Sequence, residues 1–537
     1  MSGAVPAGTG CPKDPGVSET REGPDASETS GHADASDTSG SSDTRGTVRR
    51  PDLPGILKRP DLPGFVRRRR HGLLLGALVA TAAGVYALLG LVRFATFRAS
   101  IFDLVIFDQA VRGYAGFGAP VAPAVGVFHG AGMDFLQLAD HFSPILAVLA
   151  PLYWIHDGPQ TLIVAQAVLF ALAAIPIWHY AERRLRPAGA HLVVVAYAVS
   201  WPIAQAAAFD FHEVAFVPLL SAIMIERLDA DRAGAAYLAG IALLLVKEDM
   251  GLLVGGFGCY AFLTRRRLEG AAFVLFSLGA LLMIRDVLMP LVGSRPAGFH
   301  WAYASRGATM GEVALSIARD PAGALWSLVS PAVKVDTLVL LLWPVLLTAL
   351  ASPLVLAALP LVAERFLADR SQWWGSDHHY NAFVIAILIC AGVDGADRLR
   401  KHLRARARGY DLGMHWAVAV CVIGLTLTPR FALDGLWDPV FYTGEPHVAA
   451  AREAVAVVPD GVVVEAANNL GPALSGRATV LLWGAGAPGA PWIVADVARP
   501  SYPFGGQDQQ RQRVDEALRG GYRAVFERDG YIVLHRP

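Results

Sequence analysis

Two aspartates stand among large apolar side chains in the stretch FDLVIFDQA, residues 102–110. Asp103 and Asp108 follow a long apolar segment, so we expect them at the edge of a bilayer and treat both as candidate catalytic residues. Apolar surroundings raise the pKa of a carboxyl group, which suits a general base acting near neutral pH. Five residues of a straight helix turn through about 140°, so the two carboxylates do not share a face. We predict that one faces a cavity, while the other caps, pairs with Arg112 or shapes the loop.

Three further motifs and one neighbouring pair add ionisable residues at the ends of apolar segments. The motifs are FDFHE (209–213), KED (247–249) and SDHHYN (376–381), and the pair is Asp140 and His141. Ionisable groups close to hydrocarbon are costly and usually mark a cavity or a site. The alternative is that these loops carry polar residues only to reach water. The predicted substrate-binding residues are Asp140, His141, Asp210, His212, Glu213, Lys247, Glu248, Asp249, Asp377, His378, His379 and Tyr380.

The same side chains could bind a divalent metal ion. Carboxylates and imidazoles together suit zinc or manganese. The sequence contains no HExxH motif or comparable ligand spacing, so it leaves the metal requirement unknown.

The composition is that of a membrane protein. Of the 537 residues, 54% are hydrophobic and 17% are charged, whereas a soluble protein carries about 25% charged residues. Apolar stretches recur between residues 72 and 429, which is typical of a polytopic helical membrane protein. The formal net charge of +0 gives no reason to expect nucleic acid as a partner, and the four cysteines lack a CxxC motif or a pairable set outside the membrane.

The chain divides into four regions. Residues 1–48 are rich in Ser, Asp, Thr, Gly and Pro and are predicted to be a disordered cytoplasmic head. Residues 49–71 form a basic juxtamembrane segment in which RPDLPG occurs twice, either as an anchor for the first span or as a contact to anionic lipid. Residues 72–429 form the transmembrane domain, and residues 430–537 are predicted to be a small extracytoplasmic α/β domain.

The transmembrane domain is predicted to be all-α, with about 11 spans. Arginine clusters at 67–71, 182–187, 265–270 and 398–409 are expected in the cytoplasm. The N-terminus is then cytoplasmic and the C-terminus is outside. The predicted spans are 72–93, 160–180, 190–208, 213–226, 233–247, 250–264, 270–290, 336–350, 352–366, 381–397 and 413–429.

Long outer loops are expected at 94–159 and 293–335. The apolar segment 141–155 is too short and too interrupted by proline to span, so we predict a helix lying in the membrane interface. An amphipathic segment follows at 311–328. In the C-terminal domain, strand patterns occur at 462–466, 479–483, 492–497, 524–528 and 531–535, and helical patterns at 446–457 and 508–519.

Five motifs in this order resemble a family of bacterial membrane proteins, the domain of unknown function 2079. They are FDLVIFDQA, DHFSPILAVLAPLY, FDFHEVAFVPLL, KEDMGLL and DHHYNAFV, and the resemblance runs from about residue 98 to the C-terminus. That family is grouped with the glycosyltransferase C superfamily, whose enzymes take a sugar from a polyprenyl-phosphate donor at the outer face of the membrane. The resemblance implies an essential acid in the first outer loop, which Asp103 matches by position, followed by an interfacial helix that 141–155 matches. The KED motif resembles the lysine-containing outer turn of several members. Many members have two adjacent acids, whereas Leu104 follows Asp103 here.

The resemblance implies a glycosyltransferase of the bacterial cytoplasmic membrane that uses a polyprenyl-phosphate sugar donor and a cell-envelope acceptor. In this hypothesis Asp103 deprotonates the acceptor, and Lys247 or Arg306 neutralises the departing phosphate. The imidazoles of His141, His212, His378 and His379 orient the donor or hold a metal ion.

Two other classes of protein remain open at this point. A transporter or flippase also needs ionisable residues in the membrane, but at the bilayer midplane on broken helices. A non-catalytic scaffold would scatter its acids, whereas an enzyme would gather them around one cavity.

Overall fold

The computed structural model describes residues 62–264, 266–293, 301–403, 410–444, 446–485 and 489–537. The predicted disordered head and the basic segment up to residue 61 lie outside the described residues. The arginine clusters at 265–270 and 398–409 are described only in part.

The transmembrane domain is built from α-helices, several of them short or bent. Their bounds are α1 (Leu62–Ala95), α2 (Ile106–Ala115), α3 (Pro123–Phe128), α4 (Gln137–Asp140), α5 (Ala150–Tyr153), α6 (Gln160–Leu172), α7 (Ala174–Glu182), α8 (Pro187–Ala198), α9 (Trp201–Ala207), α10 (Phe216–Asp229), α11 (Ala233–Leu244), α12 (Met250–Leu263), α13 (Arg267–Met283), α14 (Met289–Val292), α15 (Met310–Arg319), α16 (Pro321–Ser327), α17 (Ala332–Leu342), α18 (Leu359–Leu367), α19 (Ala382–Leu403) and α20 (Leu412–Leu427).

Four helical segments in the described residues are each long and apolar enough to cross a membrane: Arg69–Ala95, Gln160–Glu182, Arg267–Val292 and Leu412–Arg430. Two bent pairs raise the number to as many as six, α8 with α9 at 45° and α16 with the segment Ala332–Val345 at 67°. Each predicted span coincides with helical structure. However, α10, α11 and α12 have only 14, 12 and 14 residues, fewer than the ~20 that a bilayer requires. The count of eleven therefore stays a prediction.

Helix α19 lies at the centre of the bundle. Its residues 382–393 are all buried, and it packs against α7, α9 and α10. Gly395 permits close contact, because a Cβ atom there would lie 1.8 Å from the carbonyl oxygen of Thr348. The Thr348 hydroxyl also donates to the carbonyl of Gly392 at 3.0 Å. These contacts fix the middle of α19 against the rest of the bundle.

The segment 141–155 forms a short helix, as the sequence predicts. A 3₁₀ turn at Pro144–Leu149 continues into α5. Val148, Trp154 and Ile155 are largely exposed, so this helix keeps an uncovered apolar side. The amphipathic segment at 311–328 is likewise helical, as α15 and α16.

The C-terminal region is the α/β domain that the strand patterns predict. It contains α21 (Pro439–Thr443), α22 (Val448–Val457), α23 (Gln507–Arg519) and the strands β1 (Val463–Ala466), β2 (Thr479–Leu482), β3 (Trp492–Asp496), β4 (Arg523–Arg528) and β5 (Tyr531–His535). The strand order is β2-β1-β3-β5-β4. Strand β1 is parallel to β2 and β3, and β5 is antiparallel to β3 and β4.

This domain shares an apolar core with the segment that follows α1. Ile101 and Val105 pack in one cluster with Leu470 and Val480. Gly471 allows the close approach, since a Cβ atom there would lie 2.3 Å from the Ile101 side chain. The long loop predicted at 94–159 is therefore an ordered layer of short helices that lies under the C-terminal domain.

Candidate active site

A cavity of about 720 Å³ is lined by residues from both the helical bundle and the C-terminal domain. It brings together eight of the residues that the sequence predicts for the site: Asp103, His141, His212, Lys247, Glu248, Asp249, His379 and Tyr380. These residues come from five separate segments of the chain, so they meet in one place rather than being scattered.

Asp103 lies on a π-helical turn, Ile101–Val105, that continues into α2. The turn is not regular, because Phe102 has φ −87° and ψ 107°. The C-terminal domain holds its backbone: Ile101 N–H donates to the Asn468 carbonyl at 2.9 Å and lies 3.0 Å from the Asn468 Oδ1. Burial raises the pKa of Asp103 to about 7, and the nearby carboxylates of Glu213 and Asp210 act in the same direction.

Lys247 supplies a positive charge to the cavity. Its Nζ lies 3.6 Å from Oε1 of the fully buried Glu213. The carboxylates of Glu213, Asp249 and Glu248 act on Lys247 from close range and favour its charged form.

Glu248 fixes the position of His141. His141 Nδ1 lies 2.9 Å from Oε1 of Glu248, and Phe142 N–H donates to Oε2 at 3.1 Å. Burial lowers the pKa of His141, but Glu248 and Asp140 outweigh this effect and raise it to about 9. His141 and Glu248 thus form a half-buried ion pair between the loop before α5 and the turn before α12.

Asp249 follows Glu248 in the same turn, but its surroundings favour the neutral form of its carboxyl group. Burial raises its pKa to about 7, and the charge of Glu248 adds to the shift. Its Oδ1 is buried and has no hydrogen-bond partner among the described residues. Buried polar atoms are nearly always paired, so this oxygen is available to a ligand.

Asp103, His212 and His379 could hold a metal ion. One donor atom from each lies within 4.8 Å of the other two, and the two imidazoles stack with ring centroids 4.0 Å apart. Both ring nitrogens of His379 are buried and have no hydrogen-bond partner within the described part of the chain. One carboxylate and two imidazoles fit a divalent ion such as zinc or manganese.

Asp108, the second candidate catalytic residue, does not line the cavity. It is fully buried and accepts hydrogen bonds from the Tyr153 hydroxyl at 2.7 Å and from the Ser475 hydroxyl of the C-terminal domain. Arg112 lies 3.1 Å away. The predicted pairing with Arg112 is therefore confirmed, and of the two aspartates Asp103 is the one that lines the cavity.

Five predicted substrate-binding residues also lie outside the cavity lining: Asp140, Asp210, Glu213, Asp377 and His378. Asp140 is buried. Asp210 accepts hydrogen bonds from the backbone N–H of Ser100 at 2.8 Å and from its hydroxyl, so it shapes the chain ahead of Asp103. Asp377 and His378 are exposed.

The cavity contains cationic and aromatic residues that our sequence reasoning missed. Arg306, predicted to meet phosphate, instead donates to the Ser327 hydroxyl at 2.6 Å and does not line the cavity. Three other arginines do, together with several aromatic residues: Arg285, Arg365, Arg370, Phe128, Trp301, Tyr303, Trp373 and Tyr502. A signal existed for two of these arginines, because Arg285 and Arg365 fall inside predicted spans, where charges are rare and functional.

Apolar side chains complete the wall. They are Leu252, Leu281, Met289, Leu361, Phe383 and Val384. The cavity therefore offers carboxylates, cations and a hydrocarbon-compatible surface at once.

These features define a helical membrane protein with a buried polar site that its C-terminal domain helps to form. The family model described as "Predicted membrane protein (DUF2079)" matches residues 93–533, and the chain belongs to this family. A similar solved structure is titled "Crystal Structure of ArnT from Cupriavidus metallidurans bound to Undecaprenyl phosphate". The two proteins are 15% identical with a TM-score of 0.49, and the alignment covers 85% of this chain and 97% of that chain. No curated protein matches the chain.

Proposed function

We propose that the protein is a membrane glycosyltransferase that transfers a sugar from a polyprenyl-phosphate donor to a hydroxyl of an acceptor. The observation that carries the proposal is the composition of one cavity. It combines a carboxylate, Asp103, with four cationic side chains and an apolar wall. A lipid-linked sugar phosphate needs all three, because its chain is hydrocarbon, its phosphate is an anion and its acceptor must lose a proton.

In this proposal Asp103 is the general base. It removes the proton from the acceptor hydroxyl, whose oxygen forms a bond to the anomeric carbon of the donor sugar. The bond between that carbon and the phosphate oxygen breaks, and the electron pair leaves with the polyprenyl phosphate. The proton stays on Asp103 until it passes to solvent.

The cations of the cavity bind the phosphate and stabilise its charge as it departs. Lys247 is held at 3.6 Å from Glu213, and Arg365 is fixed by donating to the carbonyl of Tyr380 at 2.7 Å. Charged groups that are already in place cost no reorganisation during the reaction, which makes this kind of stabilisation large. If a divalent ion is bound, His212, His379 and one oxygen of Asp103 would hold it, and it would supply further positive charge to the cavity. The second Asp103 oxygen would then serve as the base.

The orientation in the membrane belongs to the same proposal. The arginine clusters at 182–187 and 398–409 favour the cytoplasm by the positive-inside rule. Helices α10 and α19 each start next to site residues and end near these clusters. The cavity and the C-terminal domain are then on the outer side of the bacterial cytoplasmic membrane, where a cell-envelope acceptor is available.

The test uses purified protein in lipid nanodiscs with a panel of radiolabelled polyprenyl-phosphate sugars. Wild type is compared with Asp103→Asn, Asp108→Asn and the control Asp134→Asn, whose carboxylate is exposed on the same loop. We expect Asp103→Asn to lower donor turnover by about 10²- to 10⁴-fold. The other two variants should keep wild-type turnover per folded molecule.

Two results would contradict this proposal. Turnover that survives in Asp103→Asn and vanishes in Asp108→Asn would keep the enzyme but move the base. Wild-type protein that turns over no donor, yet moves a labelled lipid-linked sugar across the bilayer, would instead support the flippase alternative.

A further inference from the structure

The cavity has a second set of aromatic residues, at its border with the C-terminal domain. Phe102, Phe128 and Tyr502 contact one another with ring centroids 5.1 to 5.7 Å apart. All three line the cavity, and Tyr502 is the residue through which the C-terminal domain reaches it among the described residues. We call these three residues the aromatic platform.

Packing alone does not explain the platform, because Tyr502 remains open. It is 50% exposed although it lines the cavity. Neither neighbouring ring stacks on it, since the interplanar angles are 70° to Phe102 and 44° to Phe128. An aromatic ring of this kind has surface left for a ligand.

The loop that carries Tyr502 is nevertheless fixed. Ser501, next to it, is buried and accepts a hydrogen bond from Asn468 N–H at 3.3 Å. Phe504 packs against Trp483 with ring centroids 4.5 Å apart. Asn468 also holds the backbone of Ile101, so one residue positions both the Tyr502 loop and the turn that carries Asp103.

Polar residues stand next to two of the platform's aromatic residues in the chain. Asp103 follows Phe102 in the chain and His129 follows Phe128, and both polar residues line the same cavity. Such a surface matches a pyranose ring, which has apolar C–H faces and polar hydroxyl edges. The negative face of an aromatic ring attracts partially positive C–H groups, while the carboxylate and imidazole can bond to hydroxyls.

We propose that the aromatic platform binds a saccharide acceptor, with a pyranose ring packed on Tyr502 and one of its hydroxyls directed to Asp103. This inference rests on the proposed function and adds the acceptor class to it. The donor phosphate is assigned to another part of the cavity, which the arginines line. There Arg285 lies over the ring of Trp301 and Arg370 over that of Trp373, and Arg365 donates to the Trp373 carbonyl. The C-terminal domain is thereby a part of the acceptor site.

The experiment measures saccharide binding without any donor. Methyl α-D-glucopyranoside, methyl α-D-mannopyranoside and methyl β-D-galactopyranoside are titrated into nanodisc-embedded protein, and saturation transfer to their ring protons is recorded by NMR. Sorbitol, which has hydroxyls but no ring, is the ligand control. Wild type is compared with Tyr502→Ala, Tyr502→Leu, Tyr502→Trp and Tyr442→Ala, the last replacing a tyrosine that is 45% exposed away from the cavity.

We expect at least one pyranoside, but not sorbitol, to bind wild-type protein. Binding becomes about tenfold weaker in Tyr502→Ala and Tyr502→Leu and is kept in Tyr502→Trp and Tyr442→Ala. Tyr502→Leu keeps an apolar side chain, so it separates loss of the aromatic face from loss of packing. Thermal unfolding of each variant confirms that it is folded.

Two results would overturn the inference: no pyranoside binds wild-type protein, or Tyr502→Leu binds as tightly as wild type. Turnover of the labelled donor in the same variants, with the pyranoside supplied as acceptor, separates this failure from that of the proposed function. Donor turnover that is lost in Asp103→Asn but unaffected by Tyr502→Leu leaves the transferase standing without this acceptor site. Absence of donor turnover in wild type removes the transferase itself.

Discussion

Two groups of charges at the two ends of α10 and α19 are organised differently. At the end away from the cavity lies a group of paired charges, which we call the ion-pair cluster: Arg183, Arg184, Glu226, Asp229 and Asp394. Arg183 lies 2.8 Å from Glu226 and 2.7 Å from Asp229, and Arg184 lies 2.5 Å from Asp229. Each of these charges has an opposite partner at close range.

At the other end, the cavity has polar atoms without hydrogen-bond partners. Among the described residues, a buried oxygen of Asp249 and both ring nitrogens of His379 have none. Unpaired buried polar atoms reduce stability, so a structure that keeps several of them together has another use for them. The ion-pair cluster therefore stabilises the fold, whereas the cavity keeps buried polar atoms that a ligand could pair.

This comparison predicts the largest effect at Lys247, one of the four cationic side chains that line the cavity. Lys247→Ala should lower donor turnover by about 10²- to 10³-fold, because in the proposed mechanism it removes a charge that stabilises the departing phosphate. The measurement is initial-rate donor turnover in nanodiscs. Lys401→Ala, at the far end of α19 where Lys401 pairs with Asp397, is the control and should retain full turnover. Equal rates in wild type, Lys247→Ala and Lys401→Ala would show that Lys247 does not contribute to turnover.

Asp108 is fully paired although it is only five residues from Asp103. Asp108→Ala removes the acceptor of Tyr153 and Ser475 and one partner of Arg112. We expect the free energy of unfolding to fall by about 3 kcal/mol, since several buried groups lose their bonds. Thermal unfolding in detergent measures this change, and turnover per folded molecule should stay constant.

Asp157→Ala is the matched control for Asp108, because Asp157 also pairs with Arg112 but its side chain is 62% exposed. Its cost should be below about 1 kcal/mol. If the two substitutions cost the same, the buried contacts to Tyr153 and Ser475 do not contribute to stability.

A third effect concerns the metal-ligand set. If Asp103, His212 and His379 bind manganese or zinc, an ion at 100 times its Kd raises the free energy of unfolding by about 2.7 kcal/mol. His379→Ala should abolish this rise in a thermal unfolding assay with added ion. His378→Ala is the control, since His378 is the exposed neighbour. Stabilisation that persists in His379→Ala would exclude His379 as a ligand.

Apart from the control Asp157→Ala, the smallest effect is expected in the ion-pair cluster. Glu226→Gln removes one charge, but Arg183 keeps Asp229 as its partner, so the free energy of unfolding should fall by about 1 kcal/mol. Donor turnover should not change. A large loss of turnover without loss of stability would show that the two ends of the helices are functionally coupled.

Much of the candidate site was predictable because its residues stand in short motifs beside apolar segments. Lys247, Glu248 and Asp249 are adjacent in the chain, and their cost near hydrocarbon marks them without any structure. Tyr502 could not be predicted in this way. Nothing in its surrounding sequence separates it from an ordinary surface tyrosine, and only the packing of the C-terminal domain brings it to the cavity.

The sequence by itself determined the helical membrane domain, the strands of the C-terminal sheet and the motifs that supply the site. Composition and periodicity act locally, so they are sufficient for these features. The tertiary structure decided which aspartate faces the cavity. Phe102 breaks the regular turn, and Asn468, more than 360 residues away in the chain, holds the backbone on which Asp103 depends. Helical periodicity fixes side-chain directions only within a regular element, so a break held by distant contacts cannot be derived from it.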